Sequence, residues 1–130
     1  MRRVVVDASV GVKWFKEETG SEDAWGLLEQ HGRFEIEMHI PNQCAGEVLA
    51  VVARSDGPAG SVQAWVALDM AGVHRHDLDD ALMREARRQM ETLGCDLYDA
   101  LAPALASLLD AQLVSADRRA HGRYPEVHLL

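Results

Sequence analysis

Short apolar runs of strand length alternate with longer segments of helical character along the whole chain, and that alternation limits the possible folds more than any other feature. Val4-Val5-Val6 opens the series, and Phe34, Ile36, Met38 and Ile40 then alternate with Glu35, Glu37 and His39 at the period of a strand with one wetter face. Val73 begins a short extended piece, Leu113 to Ser115 reads as a buried strand, and Val127 to Leu130 as a last one. The helical segments between them run through Val10 to Phe15, from a Ser21 N-cap to Gln30, from Pro41 and Asn42 to about Arg54, and from Ser61 to Ala71. Two more cover Asp79 to Leu93, closed by Gly94, and an Asp96-capped stretch to about Ala111, with a further turn after Asp117. Ser55 to Gly60 is the one strongly loop-like stretch, and in the helix after it Val62, Trp65, Val66 and Met70 form an apolar stripe read as core packing in preference to a contact with a second copy. Strands interleaved with helices imply parallel pairing through crossover connections and a sheet covered on both faces. The expected class is α/β, doubly wound, in one domain over residues 1–130.

Composition narrows the function. Cys44 and Cys95 are too few for a disulfide framework, and neither belongs to a zinc-type pair, which suits a cytoplasmic setting. Asp7 interrupts the first apolar run after three valines, too soon for a signal-peptide core or a membrane span. A net charge of −8 argues against broad nonspecific affinity for nucleic acid, although Arg84, Arg87 and Arg88, and Arg118, Arg119 and Arg123, form local basic groups able to hold a phosphate backbone.

The chemistry lies in the acids. Asp7 ends the first strand and Asp117 follows the strand Leu113–Ser115, so both sit at strand exits, where parallel sheets place their ligand crevice. Glu47 has Cys44 and Val51 at helical spacing, and Asp99 has Cys95, Ala102 and Pro103. A carboxylate on an apolar helix stripe is costly unless paired or bound to a metal. Taken singly, Glu47 reads as a side chain snorkelling at the stripe's edge and Asp99 as a first-turn acid on the helix dipole. Together with the strand-end pair, they make a candidate site for Mg²⁺ or Mn²⁺, hard cations that prefer oxygen ligands. Asp96 is assigned to capping, and Asp79 and Asp80 to a solvated first turn. Ser9 and Ser115, each two residues from a strand-end Asp, either orient a carboxylate or act as ordinary caps. His74-Arg75-His76 lacks a third spaced ligand and is not read as a zinc site.

With these residues in place the chain resembles the PIN-domain ribonucleases, and within them the VapC-like toxins of type II toxin–antitoxin systems. The resemblance rests on Val5-Val6-Asp7-Ala8-Ser9 with Val12-Lys13-Trp14-Phe15, on Pro41 leading to Glu47-Val48-Leu49, on Tyr98-Asp99-Ala100 with Ala104-Leu105-Ala106, and on Val114-Ser115-Ala116-Asp117-Arg118-Arg119. It implies a PIN-like three-layer α/β/α fold with a parallel sheet of about five strands in the order 3-2-1-4-5. It further implies that Asp7, Glu47, Asp99 and Asp117 are the catalytic and metal-holding acids, with Ser9 and Ser115 in support. The implied activity is Mg²⁺- or Mn²⁺-dependent cleavage of RNA by a metal-activated water. The implied partners are a second copy of the chain and a small VapB-like antitoxin that also binds DNA. Ala102 and Pro103 depart from the family pattern, and Pro103 removes a backbone donor one turn beyond Asp99.

Two other readings share the acidic crevice. A catalytically weak binding module would use the acids to attract a basic partner. An Asp-dependent phosphatase or phosphoacceptor would need a lysine near the late strands and a second Asp two residues after Asp7. The only lysines are Lys13 and Lys16, and position 9 is serine.

Overall fold

The structure, a computed structural model, describes residues 1–130. β1 (Arg2–Val6) leads through α1 (Ala8–Gly11) and a 3-10 turn (Val12–Trp14) to α2 (Ser21–Gly32) and β2 (Ile36–Pro41). A bent α3 (Asn42–Ala71) precedes β3 (His74–His76), and α4 (Asp80–Leu93) and α5 (Leu97–Leu109) precede β4 (Gln112–Ser115). α6 (Arg118–His121) then leads to β5 (His128–Leu129). The sheet has the order β3-β2-β1-β4-β5 and every neighbouring pair is parallel, which is the expected architecture.

β1 is central because its sequence tolerates no solvent on either face. Val4, Val5 and Val6 are all 0% exposed, and since successive strand side chains point to opposite faces, both sides of β1 must be covered. α5 packs across β1, β2 and β4 with its alanines 100, 102, 104 and 106 buried, small side chains that let the helix approach the sheet closely. α4 packs mainly on α5, and α2 packs on β2, with Leu27 sharing a cleft with Val4 and Val114. Leu101, Leu113, Ile36 and Met38 lie in the same core cluster, each such side chain contributing roughly 1.5–3 kcal/mol by leaving water.

Three local expectations are revised. Ser21 starts α2 but does not cap it: its buried hydroxyl donates to the Lys16 carbonyl and accepts from Glu18 N–H, and Gly20 is the cap, in the left-handed region at φ 90°. The expected loop at Ser55–Gly60 stays helical except at Gly57 (φ 80°, ψ 174°), so α3 consists of two arms meeting at a sharp bend. Ser61 Oγ closes the bend by donating to the Leu49 carbonyl at 3.1 Å. On the second arm Ala64 and Leu68 face the core, which leaves Val62, Trp65, Val66 and Met70 exposed and not packed in the core as their spacing suggested.

The approach of α1 to α3 brings the first strand exit next to the first arm of α3. A Cβ built on Gly11 would lie 2.6 Å from Cγ2 of the fully buried, β-branched Val48, so only glycine permits this distance. Gly11→Ala is expected to destabilise the protein by about 1–3 kcal/mol, as overpacking does. Urea unfolding checks this, and an unchanged midpoint would contradict the close-contact account.

Candidate active site

β1 and β4 are adjacent, and the chain leaves them toward different helices, so the carboxyl ends of these two strands form the crevice of the sheet. Asp7, the first residue after β1, caps α1; Asp117, just past β4, caps α6 by accepting from Ala120 N–H at 3.0 Å. The two exits are stitched together by the serines. Ser9 Oγ donates to Asp7 Oδ1 at 2.6 Å and accepts from Ala116 N–H at 2.9 Å. Ser115 Oγ donates to Asp7 Oδ2 at 3.1 Å and accepts from Asp117 N–H at 3.0 Å. Each serine thus orients the carboxylate and also ties one strand exit to the other.

His121, which the sequence did not single out, completes this network. It is 2% exposed, and its Nδ1 lies 2.7 Å from Ser115 Oγ and 3.2 Å from Asp7 Oδ2. Its Nε2 lies 2.7 Å from the carbonyl of Asp99, an atom that can only accept, so Nε2 carries a proton. Nδ1 faces the Ser115 hydroxyl and the Asp7 carboxylate, so a proton on Nδ1 has two acceptors within reach. Burial acts to lower the His121 pKa, but the hydrogen bond and charge of Asp7, the Asp99 carbonyl and the charge of Asp117 raise it on balance. The balance favours the charged imidazolium against Asp7. Pro103 explains the free carbonyl: in α5 the Asp99 oxygen would accept from the N–H of residue 103, and proline has none. The departure from the family pattern provides the acceptor for His121.

Glu47 and Asp99 reach the same region from helices. Glu47 lies in the first arm of α3, exposed beside the buried Cys44 and Val48 and not on the buried stripe itself. Loss of solvent raises its pKa, and the charges of Asp99, Asp7 and Asp96 raise it further. Asp99, half-buried in the first turn of α5, is likewise raised by desolvation and then by Asp96, with smaller contributions from Asp117 and Asp7 and a lowering by His121. Cys44, one turn before Glu47, is held protonated by burial and by the same three acids, Asp7, Glu47 and Asp99. Asp96 is the N-cap of α5, accepting from Asp99 N–H at 2.8 Å. Asp79 caps α4 in the same way by accepting from Leu82 N–H. Arg119 lines a cleft of about 360 Å³ with Asp96, Asp99 and Asp117, and Arg123 donates to the Leu93 carbonyl.

The donor set suits a hard divalent cation: carboxylate oxygens that raise one another's pKa gain from a positive charge between them. No three His, Cys, Asp or Glu side chains are placed to hold a metal ion together by themselves. An ion such as Mg²⁺, which takes one or two carboxylates and keeps part of its water shell, does not need such a group.

Two expectations follow. Glu47 has a raised pKa in the folded state, so the folded protein holds that proton more tightly than the unfolded chain, and stability is lost as pH rises from about 4.5 through the raised value. Without divalent metal, Glu47→Gln should therefore melt higher than wild type at pH 7 and equally at pH 3; a variant that melts lower at pH 7 would contradict the crowding. His121→Ala should cost about 3–5 kcal/mol, because it leaves Asp7 desolvated without its charged partner. Denaturant titration measures this, and a loss under 1 kcal/mol would place the imidazolium elsewhere.

No curated protein matches the chain in sequence. Among solved structures, a toxin–antitoxin complex from Klebsiella pneumoniae superposes with a TM-score of 0.76 at 15% identity, covering 95% of this chain and 94% of that one. The VapC20 toxin of Mycobacterium tuberculosis, described as cleaving the sarcin-ricin loop, gives 0.73 at 15% identity, covering 95% and 98%. A DNA-bound VapBC from Salmonella typhimurium gives 0.74 at 14% identity, covering 100% and 98%. The PIN domain family matches residues 4–126, nearly the full length, and the chain belongs to that family.

Proposed function

We propose that this PIN domain, comprising residues 1–130 as one unit, is a Mg²⁺- or Mn²⁺-dependent endoribonuclease and the toxin of a type II toxin–antitoxin pair. The observation that supports the reading is that Glu47 and Asp99, on two different helices, are both raised from their ordinary pKa by desolvation and then by neighbouring acids, Asp7 acting on both and Asp117 on Asp99. Asp7, Glu47, Asp99 and Asp117 would hold the divalent ion between them, directly or through its water shell, and the ion would supply activation of a water molecule and neutralisation of charge on the phosphodiester. Ser9 and Ser115 keep the Asp7 oxygens turned into the crevice. Arg119, the cation in the cleft with Asp99 and Asp117, holds a phosphate of the RNA.

The toxin reading draws on the neighbours, one a VapC toxin and others complexes of toxin with antitoxin. The exposed Val62, Trp65, Val66 and Met70 stripe is then the surface for a second copy or for the VapB-like antitoxin. No helix of the chain is long and apolar enough to cross a membrane, and a cytoplasmic enzyme is the setting proposed.

With purified protein, Mn²⁺ and structured RNA, cleavage should require the metal and fall by at least 10²-fold in Asp99→Asn and in Glu47→Gln, as it does when a group stabilising transition-state charge is lost. Retained cleavage in both variants would overturn the site assignment. Binding of RNA without cleavage in the wild type would instead favour the binding-module reading.

A further inference from the structure

The sheet edge opposite β5 gathers histidines that lie far apart in sequence. β2 and β3 pair so that His39 lies opposite His74, and His76 follows on the same face of β3. The His39 and His74 rings stack at 4.8 Å, and the His31 ring from α2 meets His74 edge-on at 6.2 Å. His39, 6% exposed, has Nε2 at 2.7 Å from Glu37 Oε1 and Nδ1 at 2.8 Å from His76 Nε2.

Those distances settle the protons. A carboxylate only accepts, so His39 Nε2 carries hydrogen and, in the neutral ring, Nδ1 presents a lone pair to His76. A carboxylate that fixes the far nitrogen of a histidine and turns the near one outward is the arrangement that orients metal-ligating imidazoles. We propose that His39 Nδ1 and His76 Nε2 form a binding site for a borderline transition-metal dication of the zinc class, with Glu37 as the orienting carboxylate and water completing the coordination.

On binding, the His76 proton moves from Nε2 to Nδ1 and the ion takes its place between the two nitrogens. Metal–nitrogen bonds of about 2.0–2.1 Å at a tetrahedral angle separate the nitrogens by roughly 3.3 Å. The pair needs to open by only about half an ångström, a small adjustment for His76 on an edge strand. The charged groups beside the two imidazoles include Glu37 and Arg3, 3.6 Å apart, His74, which acts on both rings, Asp77 next to His76 in sequence, and Asp79, whose negative charge acts on His76. None of these histidines contributes to the pKa shifts of Glu47 or Asp99, so the site is separate from the carboxylate crevice and differs from it in ligand chemistry.

Zn²⁺ titration of the full chain against a competing chelator at pH 7.5 tests the proposal. One Zn²⁺ should bind with an affinity that falls at least tenfold in His76→Gln and about tenfold in Glu37→Gln, the usual effect of removing an orienting partner. Mn²⁺ binding should be unchanged in both variants. Unchanged Zn²⁺ affinity in His76→Gln, or a loss that follows Asp99→Asn instead, would overturn the assignment. Paramagnetic resonance of the Cu²⁺-loaded wild type gives a result that does not depend on any variant folding. Coupling to two imidazole nitrogens is expected, and an all-oxygen signal would overturn it.

Discussion

The buried contact between Asp7 and His121 holds the functional end of the sheet together. Asp7 leaves β1, Ser115 ends β4, and His121 comes from α6 while donating to the carbonyl of Asp99 in α5. Two strand exits and two helices therefore meet in one hydrogen-bonded set. Burying a carboxylate is costly unless it is paired and its lone pairs are filled. Here both oxygens of Asp7 receive donors from Ser9, Val10 N–H, Ser115 and His121. Asp7 is thereby fixed in direction, and Asp99 is tied to it through its backbone. Glu47 and the Asp99 carboxylate remain more open to solvent, and it is these two whose pKa values rise. The site thus has a rigid, charge-compensated base and an electrostatically stressed rim, and the rim is the part a cation would relieve.

Pro103 links sequence to site in an unexpected direction. Inside a helix proline removes a donor, and the orphaned carbonyl usually costs stability. In α5 that carbonyl belongs to Asp99, and the imidazolium fills it from a different element. The apparent defect converts an intrahelical bond into a tertiary one, anchoring α6 and with it Asp117 and Arg119 at the crevice. The glycine at position 11 acts similarly from the other side, because only the absence of a Cβ lets α1 lie against Val48.

The histidine edge differs in kind from the crevice. At the crevice, hard carboxylate oxygens are crowded and partly solvated. At the edge, imidazoles face one another beside a single orienting carboxylate. By donor chemistry the two places would favour different ions, oxygen donors suiting Mg²⁺ or Mn²⁺ and imidazole the zinc class.

Much of this was readable from the order of residues alone. Val4-Val5-Val6 forces a doubly covered strand, the alternation of strands and helices forces parallel pairing, and an acid directly after an apolar run must emerge at a strand exit; these are local patterns whose consequences do not depend on distant partners. Asp96 as a cap is local for the same reason. The bend at Gly57 was less readable, because a single residue in the left-handed region interrupts a helix without ending it, and Ser55–Gly60 has the composition of a longer loop. The Trp65 stripe looked like core because spacing alone does not say which face of a helix meets the sheet. His121 and the pair of His39 with His76 were invisible for a deeper reason: an isolated histidine carries no periodicity, and its role comes from partners such as Asp7, 114 positions away, or His76, 37 positions away, that only folding brings within hydrogen-bond reach. The sequence by itself determined the layers, the strand exits and the acids available to them; the tertiary structure alone decided which side chains meet, because desolvation and hydrogen-bond pairing act across space and not along the chain.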